Sequence, residues 1–194
     1  SMKKTRIVIL AIVIVAAICT AFYIVNNNSK KESAKEAGLT EIQKITTRNM
    51  EKDYPATPRE VIKFYNRIVK CYYGRQYSDD ELEQLADQAL SMFDDDLLKK
   101  NEKESYIESV KSDAAQYEED NKSISQTDVC DSNDVKYMTD NGDDIAYVTA
   151  SYFIKTGSSY TKTYQEYVLR KDGDGDWKIL TFYKIEGESS ESDE

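Results

Sequence analysis

Histidine is absent from the 194-residue chain. Its absence excludes histidine-based catalytic triads, histidine metal sites and imidazole proton shuttles. Basic residues are outnumbered as well, with 26 lysines and arginines against 36 aspartates and glutamates. Three of the basic residues, Lys3, Lys4 and Arg6, precede residue 7, so residues 26–194 carry a net charge of −13. Such an acidic surface argues against nucleic acid and anionic lipid as partners.

Charged residues are missing altogether from residues 7–25, which form one apolar run. As a helix this run spans about 28 Å at ~1.5 Å per residue, close to the ~30 Å hydrocarbon core of a bilayer. Positive charges in front of such a helix are retained on the cytoplasmic side. The sequence therefore predicts a cytoplasmic flank at residues 1–6, a transmembrane anchor at 7–25 and a C-terminal domain outside the cell membrane.

Two other functions of the apolar run remain open, a cleaved signal peptide and a lipoprotein signal. Small residues at 15–17 and 19–21 fit a cleavage region, but the apolar run continues beyond both sites to Val25. Cys19 suggests lipid attachment, but Ile18 stands where a lipobox requires a small residue. The retained anchor is therefore favoured.

Cysteine is scarce, and only Cys71 and Cys130 lie outside the apolar run. An extracytoplasmic compartment permits a disulfide between them, which contributes about 4 kcal/mol in the chain-entropy model. The alternative is two buried thiols, Cys71 on the inner face of a helix and Cys130 in a strand. The thiols are favoured, because a domain of this size folds without a covalent cross-link.

Composition divides the exported part into three segments. Residues 26–53 are polar and mixed in charge and are predicted to be a spacer, although Leu39, Ile42 and Ile45 recur there at helical spacing. Residues 54–186 are long enough for one domain with a hydrophobic core. Residues 187–194 contain only glycine, serine and acidic residues, and we expect a disordered tail.

Local patterns predict three helices followed by about four strands. The first two helices have capping boxes at Thr57–Glu60 and Ser78–Glu81, and the third starts near Asn101. After residue 121, β-branched and aromatic residues dominate and Asp, Asn and Gly mark the turns. Short turns require antiparallel pairing. The sequence predicts an α+β domain with its helices on a curved antiparallel sheet. The predicted strands are 129–138, 145–155, 160–171 and 177–185.

The order of these elements and the closing hairpin at 170–180 resemble the nuclear-transport-factor-two-like superfamily of cone-shaped (cystatin-like) α+β domains. Residues 54–61 and 64–68 are similar to an uncharacterised family of single-pass bacterial membrane proteins assigned to that superfamily. The resemblance implies a pocket between the first long helix and the sheet, and a homodimer formed through the sheet. The resemblance assigns no catalytic residues to this chain.

The superfamily includes steroid isomerases, whose chemistry needs a carboxylate base and a tyrosine or protonated acid that holds the oxyanion. The acids of this chain cluster in turns and on outer helix faces, so the sequence supports no catalytic, cofactor-binding or metal-binding residue. Tyrosines with hydroxyls that reach the rim of a core are the pocket candidates. They are Tyr65, Tyr72, Tyr147 and Tyr152.

Two acidic runs have alternative interpretations. Asp172, Asp174 and Asp176 have the spacing of an EF-hand start, but Trp177 and Tyr183 replace the required glycine and glutamate, so a hairpin turn is predicted. The run at residues 94–96 is predicted to break a helix and lie in solvent.

Two functions follow from these observations. The first is a membrane-tethered extracytoplasmic binding or assembly module that is not catalytic and holds an unknown protein, peptide or small molecule. The alternative is a small-molecule enzyme or sensor with a carboxylate and tyrosine site of the steroid-isomerase type. A buried carboxylate beside a tyrosine hydroxyl would favour the second function.

Overall fold

The computed structural model describes residues 38–187. Contacts divide the chain into two units between Lys44 and Ile45. Residues 38–44 are the described part of the first unit and contain the start of helix α1, Glu41–Thr46. The predicted flank at 1–6, the anchor at 7–25, the spacer up to residue 37 and the tail from residue 188 lie outside the described residues.

No helix within residues 38–187 combines the length and the apolar character that crossing a membrane requires.

The part of the chain that the structure describes is an α+β fold with five α-helices and one five-stranded antiparallel sheet. After α1 the helices are α2 (Pro58–Gly74), α3 (Asp79–Ser91), α4 (Asp95–Leu98) and α5 (Lys103–Glu119). The strands are β1 (Lys122–Val129), β2 (Lys136–Asp140), β3 (Asp143–Thr156), β4 (Ser159–Lys171) and β5 (Trp177–Ile185). The predicted fold class is confirmed, whereas the predicted numbers of three helices and four strands are too low.

Side-chain caps explain where α2 and α3 begin. The Thr57 hydroxyl accepts a hydrogen bond from the Glu60 amide at 3.2 Å, and Pro58 occupies the first helical position. In α3, Ser78 and Glu81 form the reciprocal capping box. These bonds satisfy amide groups that the helix itself leaves without acceptors.

The predicted first strand, residues 129–138, is wrong. The chain forms β1 before this segment, breaks at a short 3₁₀ helix, Ser132–Asp134, and then forms β2. β1 pairs with the C-terminal part of β3 and β2 with its N-terminal part, so the two strands lie along the same edge of β3. Pairing with the long strand β3 decides where β1 and β2 begin and end. The strand preferences of the local residues do not predict these boundaries.

The sheet order is β1-β3-β4-β5, with β2 beside β1 on the edge of β3. Every second residue of β3 lies on the inner face of the sheet, because side chains on a strand point alternately to opposite faces. This face packs against the helices. α2 lies across this face and contacts β1, β3 and β5, and α5 contacts β1. Register shifts mark one bulge in β1, at residue 125, and one in β5, at residue 180, and bulges bend a sheet.

The second unit begins at Ile45. Ile45 is fully buried, and the Gln88 amide donates hydrogen bonds to the carbonyls of Ile45 and Arg48, both at 2.8 Å. The Arg48 guanidinium lies 4.8 Å from the centroid of the Phe64 ring. Residues 45–48, predicted to belong to the spacer, are therefore part of the packed domain.

A short parallel bridge connects the loop after α3 to β5. The Ile179 amide donates to the Met92 carbonyl at 2.7 Å, and the Asp94 amide donates to the Ile179 carbonyl at 2.8 Å. The bridge carries Asp94 into the interior, where it is 6% exposed. The prediction that residues 94–96 lie in solvent is therefore wrong for Asp94, because pairing with β5 overrides the polarity of the run.

Candidate functional site

A cavity of about 290 Å³ lies between α2, α5 and the inner face of the sheet. Seven tyrosines and one phenylalanine contribute to its wall, and Asp113 is the one charged residue of the lining. The lining residues are Tyr65, Val69, Tyr72, Tyr73, Asn101, Tyr106, Ser109, Val110, Asp113, Tyr117, Ile124, Tyr152, Ile154, Thr163, Gln165, Tyr167 and Phe182.

The spacing of these residues follows the periods of the elements that carry them. Tyr65, Val69 and Tyr72 are separated by four and three residues on α2, so they share one face of that helix. Thr163, Gln165 and Tyr167 alternate along β4 and share one face of the sheet. The cavity is thus formed where one helix face and one sheet face are both lined by tyrosine.

Two tyrosine hydroxyls form a hydrogen-bonded group with a buried amide. The Tyr152 hydroxyl donates to Asn66 Oδ1 at 2.6 Å and lies 2.5 Å from the Tyr167 hydroxyl. Asn66 is 1% exposed, and within residues 38–187 its Nδ2 has no hydrogen-bond partner. Asn66 thereby positions Tyr152 from behind the cavity wall.

A second group of phenols lies on the helix side of the cavity. The Tyr106 hydroxyl donates to the Tyr72 hydroxyl at 3.1 Å. The rings of Tyr72 and Tyr106 pack edge to face with centroids 6.2 Å apart, and those of Tyr65 and Tyr167 do so at 5.9 Å. Edge-to-face packing and hydroxyl bonds together fix these side chains.

Burial keeps these phenols neutral. It raises the pKa of Tyr152 to about 12, against the opposing effect of the hydrogen bond with Tyr167. Burial also raises the pKa of Tyr65 and Tyr167 well above the ordinary value, and that of Tyr72 and Tyr106 in the same direction. Near neutral pH the cavity therefore offers uncharged hydroxyls that donate and accept hydrogen bonds.

The lining has little capacity for acid–base chemistry. Its one carboxylate, that of Asp113, belongs to an exposed residue. Among residues 38–187, Asp94 is the one buried carboxylate, and it is bound to Arg170 outside the lining. A base of the steroid-isomerase type needs a carboxylate at the reacting atom inside an apolar site.

Three of the four tyrosines predicted to be pocket residues lie together. Tyr65, Tyr72 and Tyr152 line the cavity. Tyr147 is separate, because it alternates to the other face of β3 and pairs with Lys136 and Val168. Four lining tyrosines were not predicted, although helical or alternate spacing places them beside other lining residues: they are Tyr73, Tyr106, Tyr117 and Tyr167.

Cys71 and Cys130 do not form a disulfide. Cys71 lies on α2, as expected. Cys130 was predicted to lie in a strand, but it follows the end of β1 and belongs to no strand. Its amide donates to the Thr149 carbonyl at 2.9 Å, and the Arg59 guanidinium donates to its carbonyl at 2.7 Å. Burial raises the pKa of the Cys130 thiol, which keeps it protonated.

The turn between β4 and β5 is a hairpin turn, as predicted. Asp172 Oδ1 accepts hydrogen bonds from the amides of Asp174 and Asp176, both at 2.9 Å. Gly175 has a φ of 86°, which glycine adopts without steric cost. No group of three or more acidic, cysteine or histidine side chains within residues 38–187 is placed to hold a metal ion.

The fold and the cavity define this chain as a small α+β domain with a tyrosine-lined internal site. Its residues 1–182 match the family model described as Domain of unknown function (DUF6715), so the chain belongs to that family. A search of the curated proteins finds no match.

Proposed function

We propose that this protein is a non-catalytic binding module that holds a small organic molecule in the tyrosine-lined cavity. The composition of the lining supports the proposal most directly. The lining combines buried neutral phenols with one charged group, the exposed carboxylate of Asp113. Such a wall offers directional hydrogen bonds and apolar surface, which are the features that orient a bound molecule. A volume of about 290 Å³ suits a small ligand.

We place this module outside a bacterial cell membrane, tethered by residues 7–25. The uncharged run and the three basic residues in front of it support this topology. Protease added to intact cells is expected to degrade the domain and to spare a cytoplasmic marker. A domain that stays intact until the cells are lysed would contradict the tethered topology.

The likeness to the nuclear-transport-factor-two-like superfamily is part of the same proposal. Helices that precede one antiparallel sheet, with a cavity between α2 and that sheet, support it. A homodimer through the outer sheet face would be consistent with that likeness. Sedimentation of the full chain in detergent tests the dimer independently of ligand binding.

Native mass spectrometry of the full chain, purified in detergent from its own membranes, tests the binding function. We expect the wild-type protein to retain a small molecule. Val110→Phe places a ring in the cavity, because Val110 lines it, and is expected to release that molecule. The matched control is Lys111→Phe, one residue along α5 at an exposed position outside the lining.

Retention in the wild-type and Lys111→Phe proteins with loss in Val110→Phe would support the proposal. A wild-type protein without any bound molecule, or equal retention in both variants, would contradict it.

A further inference from the structure

Two tyrosine rings and one carboxylate meet at one side of the cavity. Tyr73, on the last turn of α2, and Tyr117, on α5, have ring centroids 4.2 Å apart and planes inclined by 36°. Asp113 precedes Tyr117 by four residues, so the two side chains lie on the same face of α5. All three residues line the cavity, and Asp113 is exposed, which identifies this side as the mouth.

The Asp113 charge acts on both rings. Burial, the neighbouring Tyr117 and the Asp113 charge together raise the pKa of Tyr73 to about 12. Burial and the Asp113 charge also raise the pKa of Tyr117. The mouth therefore combines a carboxylate with two neutral phenol rings, and both the carboxylate and the negative faces of the rings attract a positive charge.

The lining itself contains no lysine or arginine. The nearby Arg75 guanidinium is engaged by Glu118 at 3.3 Å and by the Ala114 carbonyl at 3.0 Å. The Lys122 ammonium lies 6.0 Å from the centroid of the Tyr117 ring, so one cation of the chain already lies over that ring. An anion in the cavity would find no opposite charge in the wall, and burying it there is costly.

Part of the cavity wall is apolar. Val69, Val110, Ile124, Ile154 and Phe182 contribute hydrocarbon surface to the lining. A molecule with a charged head at Asp113 and an apolar body among these side chains keeps its charge near solvent and buries its hydrocarbon part. This arrangement avoids the cost of full desolvation of the charge.

We propose that the cavity selects a small organic cation, an ammonium group on an apolar body, with its charged head at Asp113 and the rings of Tyr73 and Tyr117. This inference rests on the proposed function, which requires only that the cavity holds a small molecule. It adds the charge of the ligand and the residue that recognises the charge.

Three probes of similar size and different charge test the inference. They are cyclohexylmethylamine, which is protonated at pH 7.5, cyclohexylmethanol and cyclohexanecarboxylate. Calorimetric titration of the full-length protein in detergent is expected to give about 3- to 10-fold tighter binding of the amine than of the alcohol. The carboxylate is expected to bind most weakly, and the preference for the amine is expected to fall as salt is added.

Asp113→Asn keeps the size of the side chain and removes its charge. We expect it to weaken amine binding about 2- to 5-fold and to leave alcohol binding unchanged. The matched control is Glu108→Gln, which removes the same charge from an exposed position on α5 outside the lining. This control is expected to keep the wild-type preference.

A wild-type preference for the amine that disappears in Asp113→Asn and persists in Glu108→Gln supports the inference. Equal binding of amine and alcohol, tighter binding of the carboxylate, or the same loss in both variants would overturn it and leave the binding function standing. Failure of all three probes to bind the wild-type protein at millimolar concentration would overturn the binding function as well.

Discussion

The Arg170 guanidinium donates two hydrogen bonds to the carboxylate of Asp94, from Nε to Oδ2 at 3.0 Å and from Nη2 to Oδ1 at 2.6 Å. The Arg170 side chain also pairs with Asp96 at 2.9 Å and with Asp143 at 3.6 Å. One cation at the end of β4 thus connects the start of α4 and the start of β3. Bidentate pairing of this kind is geometrically specific.

Asp94→Asn is expected to lower the free energy of unfolding by about 2–4 kcal/mol. The substitution leaves the partly buried Arg170 without its main counter-charge, and breaking a buried pair costs far more than breaking an exposed one. Urea denaturation of the full-length protein measures the change. Asp95→Asn, at the exposed neighbouring position, is the control and should change stability by less than about 0.5 kcal/mol. Equal effects of the two substitutions would show that the ion pair contributes nothing.

Gln88→Ala is expected to release residues 45–53 from the domain. The Gln88 amide donates to the carbonyls of Ile45 and Arg48, and its loss leaves these carbonyls without that donor. Limited trypsinolysis should then cleave after Arg48 and Lys52 several-fold faster than in the wild type. Gln84→Ala, at an exposed position one turn earlier on α3, should leave the rate unchanged. The prediction fails if both variants are cleaved at the wild-type rate.

Thr57→Ala removes the hydroxyl that accepts the Glu60 amide at the start of α2. Loss of an N-cap of this kind costs about 1 kcal/mol, so the midpoint of urea unfolding should fall accordingly. Thr57→Ser keeps the hydroxyl and is expected to stay close to the wild type. A Thr57→Ser protein as unstable as Thr57→Ala would mean that the methyl group, not the cap, carries the effect.

Alkaline pH is expected to destabilise the domain through its buried phenols. Burial raises the pKa of Tyr152 to about 12, whereas the unfolded chain has the ordinary value of about 10. The unfolded state therefore loses this proton first, so the stabilisation is fully present below pH 10 and is lost as pH rises from about 10 to 12.

Tyr152→Phe should therefore reduce the fall in unfolding free energy between pH 9 and pH 11 by about 1 kcal/mol. It should also lower the stability at pH 8, because the bonds to Asn66 and Tyr167 are lost. Urea unfolding at each pH gives both quantities. Tyr160→Phe is the control, since that residue is 61% exposed and should leave the pH dependence unchanged. A parallel pH dependence in the wild type and Tyr152→Phe would refute the assignment of this loss to Tyr152.

Much of the fold follows from local sequence. Thr57 and Ser78 lie at the helix starts where their capping patterns placed them, and β5 occupies the residues expected of the last strand. Each of these predictions depends on a few neighbouring residues, because caps and short turns are satisfied by hydrogen bonds within four residues. The break between β1 and β2 does not follow, since it is decided by the register with β3.

The candidate site is divided in the same way. The period of α2 places Tyr65 and Tyr72 on an inner face, and the alternation of β3 places Tyr152 on another. Neither the helical period of α2 nor the alternation along β3 predicts that these two faces meet around a cavity. Neither shows which face of the sheet Tyr147 shares. The burial of Asp94 could not be predicted either. An acidic run by itself indicates a solvent-exposed segment, and only the contacts with Ile179 and Arg170 show that Asp94 is buried.

The sequence by itself determined the α+β class, the starts of α2 and α3, the hairpin turn at Asp172 and the inward faces that carry the tyrosines. Only the tertiary structure decided which tyrosines share a cavity, where the first strand divides and which aspartate is buried. The physical reason is the range of the interactions. Caps, turns and periodicity act over a few residues, whereas strand register, ion pairs and cavity walls depend on contacts between segments far apart in the chain.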